Sequence, residues 1–138
     1  MANQENKPEL LFADLPPGRT FRTLEYPVTQ ELVQEFMETV GDRDPLYQKD
    51  LAPPGLAAIY ARLSYLQGHT MPSGGVLAKQ EFEFQNPVRI GDTLKVQAKV
   101  VESYLDEKER KRVNFLIEAK DQKGMPVSTI RLQAIWPK

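Results

Sequence analysis

The segment that most restricts the fold is a nearly uninterrupted apolar stretch that begins near Pro54-Gly55 and stops at Gly68. Within residues 56–67 only three polar residues interrupt it, and none of them is Asp or Glu. Length and composition predict a helix that is apolar almost all round. Because such a helix is stable only when other elements cover it, we expect the rest of the chain to wrap around it.

From Val76 onward the hydrophobic period changes from that of a helix to that of a strand. Four segments alternate apolar with polar residues, and a turn at 121–124 joins the last two. One-sided alternation predicts an antiparallel sheet with one buried face, and helix 56–67 is the element apolar enough to cover that face. The predicted buried positions are Ala78, Phe82, Phe84, Leu94, Val96, Ala98, Val100, Val113, Phe115, Ile117, Ala119, Ile130, Leu132, Ala134 and Trp136.

The N-terminal part supplies two more elements. Residues 1–9 are predicted to be a disordered tail and residues 10–138 a single domain. A short strand over Phe21–Tyr26 precedes a helix for which Thr29 is a good N-cap and Gly41 the stop. Strand, helix, buried helix and antiparallel strands, in that order, predict an α+β architecture. The apolar residues at helical spacing are Leu32, Val33, Phe36, Met37 and Val40.

Composition excludes several classes of function. Eighteen basic and nineteen acidic residues give a formal charge of -1, without the basic excess that is typical of nucleic-acid-binding proteins. With no cysteine and one histidine, the chain is expected to hold no metal ion. The absence of cysteine fits a reducing compartment, and no apolar run approaches the roughly 18 residues of a membrane span. We therefore expect a cytoplasmic protein.

Two polar features leave alternatives open. Residues 107–112 read EKERKR, which is typical of a solvated hairpin tip, with a contact to the phosphate of a nucleotide-bearing substrate as the alternative. His69 follows the stop of the buried helix, where a cation is favourable. Its alternative interpretation is a catalytic base.

Three segments carry a family resemblance. Residues 41–47 read GDRDPLY, residues 52–56 read APPGL, and residues 82–94 read FEFQNPVRIGDTL. Together, over about residues 20–137, they resemble the MaoC-like family of hot-dog proteins, which includes (R)-specific enoyl-CoA hydratases and 3-hydroxyacyl-thioester dehydratases. The resemblance implies a hot-dog fold, in which an antiparallel sheet wraps around a central helix.

The resemblance also implies a site. In the family a G-D-x-N-P-x-H segment supplies an Asp and a His that act on a water, and a glycine N–H at the start of the central helix polarises the thioester carbonyl. By position Asp42 matches the Asp, Tyr47 falls where the His belongs, and Gly55 matches the glycine. Asp44 replaces the Asn, and with Pro54 it is predicted to contact substrate. Structural roles, as turn residues for Asp42 and Asp44 and as a packed aromatic for Tyr47, are the alternatives.

The implied function is acyl-thioester binding by a hydratase-like or dehydratase-like protein. Because a tyrosine is mostly protonated at neutral pH and is a poor base, we expect either a weakened enzyme or the tunnel-forming subunit of a two-part dehydratase. The expected partner is a second copy or a homologue with the Asp/His pair, and no cofactor is expected. The alternative is an acyl-CoA binding or sensing protein without turnover. The lack of Asp and Glu in the central helix makes a thioesterase less favoured.

Overall fold

The computed structural model of the protein describes residues 7–41 and 50–138. Two α-helices, one short 3-10 helix (Phe12–Asp14) and five strands lie in these ranges. In chain order, the α-helices and strands are β1 (Leu24–Pro27), α1 (Gln30–Val40), α2 (Leu56–Leu66), β2 (Val76–Phe84), β3 (Thr93–Leu105), β4 (Lys111–Lys120) and β5 (Pro126–Trp136). The strands form one antiparallel sheet in the order β1-β3-β4-β5-β2. The predicted α+β class is confirmed.

The core lies between α2 and the inward face of β3, β4 and β5. The alternating apolar residues predicted for these three strands are all buried, because each strand turns every second side chain toward the helix. The helix contributes Leu56, Ala57, Tyr60, Ala61 and Ser64 to the same core. Three of these five side chains are small, so the helix can pack closely on the sheet.

Helix α1 has the predicted boundaries. Thr29 Oγ1 accepts a hydrogen bond from Leu32 N–H at 3.1 Å, which satisfies one of the free donors at the helix start. Gly41 adopts a left-handed conformation with φ 75° at the helix end. Val33 and Met37 are buried against the core.

The first strand differs from the prediction. It begins at Leu24 rather than Phe21, and Phe21 makes a single backbone hydrogen bond to Ala98. Phe21 is nevertheless buried, so the apolar pattern recorded its burial and not its strand pairing.

Ordered contacts also begin before residue 10. Thr70 N–H donates to the Pro8 carbonyl and Leu10 N–H donates to the Thr70 carbonyl, both at 2.9 Å. The side chain of Leu10 is fully buried, and Trp136 Nε1 donates to its carbonyl at 2.7 Å. Pro8 and Glu9 therefore lie against the domain, although composition assigned them to the tail.

Helix α2 has the predicted length, but only one side of it is covered. Ile59 and Leu63 are 41% and 44% exposed. Strand β2, at the edge of the sheet, is exposed along its whole length. The sheet of one chain therefore covers one side of the helix and leaves the opposite side, together with β2, uncovered.

The charge run at residues 107–112 lies at the hairpin between β3 and β4, as predicted. Asp106 accepts hydrogen bonds from the backbone N–H groups of Arg110 and Lys108, and its carboxylate pairs with Arg110 Nε and Arg112 Nε at 2.9 Å each. The Arg110 backbone bond, with the two guanidinium groups, holds the pKa of Asp106 well below its usual range. Both arginines of the run therefore serve the turn itself.

This depressed pKa predicts a pH-dependent effect of Asp106→Asn. The folded state favours the ionised carboxylate, so its contribution is present above the unfolded pKa of about 4 and is lost as pH falls toward the folded pKa. The gap in urea midpoint between wild type and Asp106→Asn should be largest at neutral pH and should shrink in acid. Glu107→Gln is the control for net charge. A gap that stays the same down to about pH 3 would contradict this account.

Candidate functional site

A cavity of about 340 Å³ lies where α2 begins and β2 ends. Its walls come from Leu51–Pro54, from Leu56, Ala57 and Tyr60 of α2, and from residues 84–88. Val28, Leu94 and Val127 complete it from the sheet side. Most of these side chains are apolar, and Gln85 and Asn86 supply amide groups at one edge. A cavity of this size and composition suits a small apolar group with a polar end.

Gly55 stands at the start of α2, between the cavity residues Pro54 and Leu56. The N–H groups of Leu56 and Ala57 are already used, since they donate to the carbonyls of Pro53 and Pro54 at 3.2 and 3.0 Å. Within residues 7–41 and 50–138, no backbone carbonyl accepts from the Gly55 N–H. This N–H, at the positive end of the helix dipole, therefore has no acceptor in the described part of the chain and adjoins the cavity.

The lack of a side chain at Gly55 has a packing cause. A Cβ at this position would lie 2.7 Å from Cζ of Phe36, on α1. Such a distance is too short for two carbon atoms, so the ring would have to move. The glycine thus lets α1 and α2 approach, and its missing side chain faces Phe36.

Tyr60, in the cavity wall, is hydrogen-bonded to a buried serine and packs against a second tyrosine. The Tyr60 hydroxyl is 2.6 Å from Ser128 Oγ, and the rings of Tyr60 and Tyr26 are 5.5 Å apart. The Tyr26 hydroxyl is buried and has no hydrogen-bond partner among the described residues. Burial raises the pKa of both tyrosines, and proximity to Tyr60 raises that of Tyr26 further.

These hydroxyls were not singled out from the sequence. Ser128 could have been noticed, because it continues the inward alternation of β5 as its one polar member. The meeting of Tyr26, Tyr60 and Ser128 could not, because it depends on how β1, α2 and β5 are placed in space.

The predicted site residues fall into two groups. Asp42, Asp44 and Tyr47 lie outside the described residues, so their roles stay predictions. Pro54 lies in the cavity wall, and Gly55 adjoins it. His69 lies beyond the opposite end of α2, where its Nδ1 is 2.9 Å from the Gln67 carbonyl oxygen.

A second groove of about 410 Å³ opens on the uncovered side of the molecule. Ala58, Arg62 and Tyr65 of α2 form one wall, and Val76 and Leu77 of β2 form another.

Within the described ranges, no cluster of three or more His, Asp or Glu side chains could hold a metal ion. The same ranges contain no helix with the length and hydropathy of a membrane span.

Solved structures with the same architecture include hydratases and dehydratases. The unliganded (R)-hydratase PhaJ1 from Pseudomonas aeruginosa superposes with a TM-score of 0.75 at 22% identity, over 94% of this chain and 87% of that one. A MaoC-like dehydratase from Rhodospirillum rubrum gives 0.68 at 23% identity, over 94% and 98%. These similarities confirm the predicted hot-dog fold.

A third similar structure is a two-subunit assembly. It is the HadBC (3R)-hydroxyacyl-ACP dehydratase complex from Mycobacterium tuberculosis, with a TM-score of 0.69 at 19% identity, over 86% of this chain and 96% of that one. None of the curated proteins matches this sequence. A family model described as the FAS1-like dehydratase domain region matches residues 16–130. The chain therefore belongs to this dehydratase-region family and has the fold of MaoC-like dehydratases and (R)-hydratases.

Proposed function

We propose that the chain binds an acyl thioester, with the acyl group in the 340 Å³ cavity and the thioester carbonyl at the Gly55 N–H. The observation that carries this proposal is the unused N–H at the start of α2, directly beside an apolar cavity. A carbonyl oxygen gains negative charge when its thioester reacts, and a fixed N–H at a helix start stabilises that charge. Pro54, in the cavity wall, would contact the acyl group.

Asp42 and Tyr47 are proposed to be the counterparts of the family's catalytic pair, with Asp44 contacting substrate. A tyrosine hydroxyl donates a hydrogen bond but holds its proton at neutral pH. The chain would then orient a water without removing its proton efficiently, and hydration would be slow. The tyrosine at position 47 favours either a subunit that shapes the acyl tunnel of a dehydratase or a cytoplasmic acyl-CoA binding protein without turnover.

The uncovered side of the molecule supports an association through β2. One edge of β2 pairs with β5, and in the described part of the chain no strand pairs with its other edge. Four large apolar side chains of β2 are also exposed, and an open edge of this kind is a template for another strand. We propose that a second copy, or a homologous subunit, pairs there and covers Ile59 and Leu63.

Charges on β2 favour a particular register for a second copy. Residues opposite each other in an antiparallel pair point to the same face. A two-fold axis normal to the paired sheets must therefore lie between one residue of β2 and the same residue of the other copy. An axis at Gln80 places Lys79 opposite the Glu81 of the other copy. An axis at Glu81 or at Phe82 instead places glutamates opposite each other. The sequence of β2 therefore favours self-pairing centred on Gln80.

The association is tested by mass and by charge exchange. Light scattering at micromolar concentration should give the mass of two chains rather than 15.7 kDa. Lys79→Glu and Glu81→Lys should each weaken the dimer, because like charges then face each other twice, by up to about thirtyfold for two pairs of up to about 1 kcal/mol each. The double exchange should restore it. The pairing would be refuted if the chain were monomeric alone and stayed monomeric when mixed with an Asp/His-containing homologue.

The Gly55 contact is tested by removing its N–H. Gly55 has φ -60°, which proline tolerates at a helix start, but any Cβ would meet Phe36. Both variants are therefore made in a Phe36→Leu background. Gly55→Pro should lose acyl-CoA affinity by at least tenfold more than Gly55→Ala, which keeps the N–H. Calorimetry measures the affinity and thermal unfolding monitors the fold. Equal affinities of the two variants would place the carbonyl elsewhere.

Turnover is tested with crotonyl-CoA, followed by its enoyl absorbance. Wild type should be slow, since a positioned general base contributes roughly 10² to 10⁴ in rate. Tyr47→His should raise the rate, and adding Asp42→Asn should abolish that gain. Binding without turnover in every variant would favour the non-catalytic alternative. Fast wild-type turnover that survives Asp42→Asn would refute the assignment of the pair.

A further inference from the structure

Ser128 is the exception on the inward face of the three central strands. β3, β4 and β5 turn thirteen buried side chains toward α2, and all but Ser128 are apolar. A hydroxyl at such a place costs stability unless it is hydrogen-bonded. Its bond with Tyr60 meets that need, and Tyr60 is itself part of the cavity wall. The pair therefore connects the core to the cavity.

The hydroxyls of Tyr60, Ser128 and Tyr26 carry more hydrogen atoms than the described residues around them accept. Tyr60 and Ser128 carry two O–H hydrogens, and their mutual bond uses one. No described residue accepts the other, and none accepts from the buried hydroxyl of Tyr26. Burial raises the pKa of both tyrosines, so both keep their hydrogens at neutral pH. Among the described residues, one O–H of the Tyr60–Ser128 pair and the O–H of Tyr26 are thus left without an acceptor.

Tyr60 lies farther along α2 than the proposed thioester position at Gly55. Tyr60 is five residues beyond Gly55 on α2, which is at most roughly 7.5 Å along the axis. The backbone of Tyr60 therefore lies more than one helical turn from the proposed carbonyl contact. Val127, next to Ser128, also lines the cavity.

We infer that the cavity selects an acyl chain that carries an acceptor oxygen, as a ketone or hydroxyl, which the Tyr60 hydroxyl in the cavity wall receives while Ser128 supports that hydroxyl from the core. This inference rests on the proposed acyl-thioester site and adds the chemical class of its substrate. A plain hydrocarbon would leave the spare O–H of the Tyr60–Ser128 pair unused, whereas an oxygen beside Tyr60 accepts it.

The experiment compares acyl-CoAs of equal chain length by calorimetry. The probes are hexanoyl-CoA, 4-oxohexanoyl-CoA and 5-oxohexanoyl-CoA. Wild type should bind one of the oxo esters about three- to tenfold more tightly than hexanoyl-CoA, which is the range of a net hydrogen bond inside a protein. Tyr60→Phe and Ser128→Ala should each reduce this preference, and Tyr60→Phe with Ser128→Ala should abolish it.

Controls separate this inference from the proposed function. Ser64→Ala removes another buried hydroxyl of α2, which donates to the Ala61 carbonyl and lies outside the cavity wall, and it should leave the preference unchanged. Ser128→Thr keeps a hydroxyl and should retain part of it. Equal wild-type affinities for the three esters would overturn the oxygen subsite while leaving thioester binding intact. Failure to bind any ester would overturn both.

Discussion

The packing of α2 on the sheet is the interaction on which the other features depend. Ala57, Ala61 and Ser64 present small side chains to the sheet, so the helix lies close to the strands and thirteen inward side chains of β3, β4 and β5 are buried. The helix carries apolar residues on all sides, so the sheet, which covers one side, cannot bury all of them. Burial of one face therefore leaves an apolar face uncovered, and the edge strand β2 remains exposed beside it. The core and the proposed interface follow from one constraint.

The same packing fixes what can happen at the start of α2. The carbonyls of Pro53 and Pro54 turn back to the first helical N–H groups, and the contact with Phe36 excludes a side chain at Gly55. Within the described ranges the Gly55 N–H is left without an acceptor beside the cavity, on a helix end that packs on the sheet. A donor held this rigidly needs no rearrangement when charge develops on a ligand, which is the condition for efficient electrostatic stabilisation.

Much of this fold could be predicted from the sequence because its signals are local. Alternation identified the buried face of β3 to β5, and Thr29 and Gly41 marked the ends of α1 because capping depends on neighbouring residues. Strand pairing is less local, so Phe21 was wrongly assigned to β1. The exposure of Ile59 was missed because an apolar residue predicts burial but does not tell whether its own chain or a partner covers it. The meeting of Tyr26, Tyr60 and Ser128 joins residues far apart in the chain, and no short pattern encodes it.

Binding and chemistry are physically separable in this architecture. The cavity, the Gly55 N–H and the buried hydroxyls belong to α2, the sheet and the segments that adjoin them, and their positions depend on core packing. The proposed catalytic pair instead occupies the sequence between α1 and α2. On the proposed assignment, a tyrosine in place of a basic residue at position 47 lowers turnover without altering the groups proposed to hold the acyl chain. The proposed acyl site would then be kept whether the proton transfer is the chain's own or that of an associated subunit.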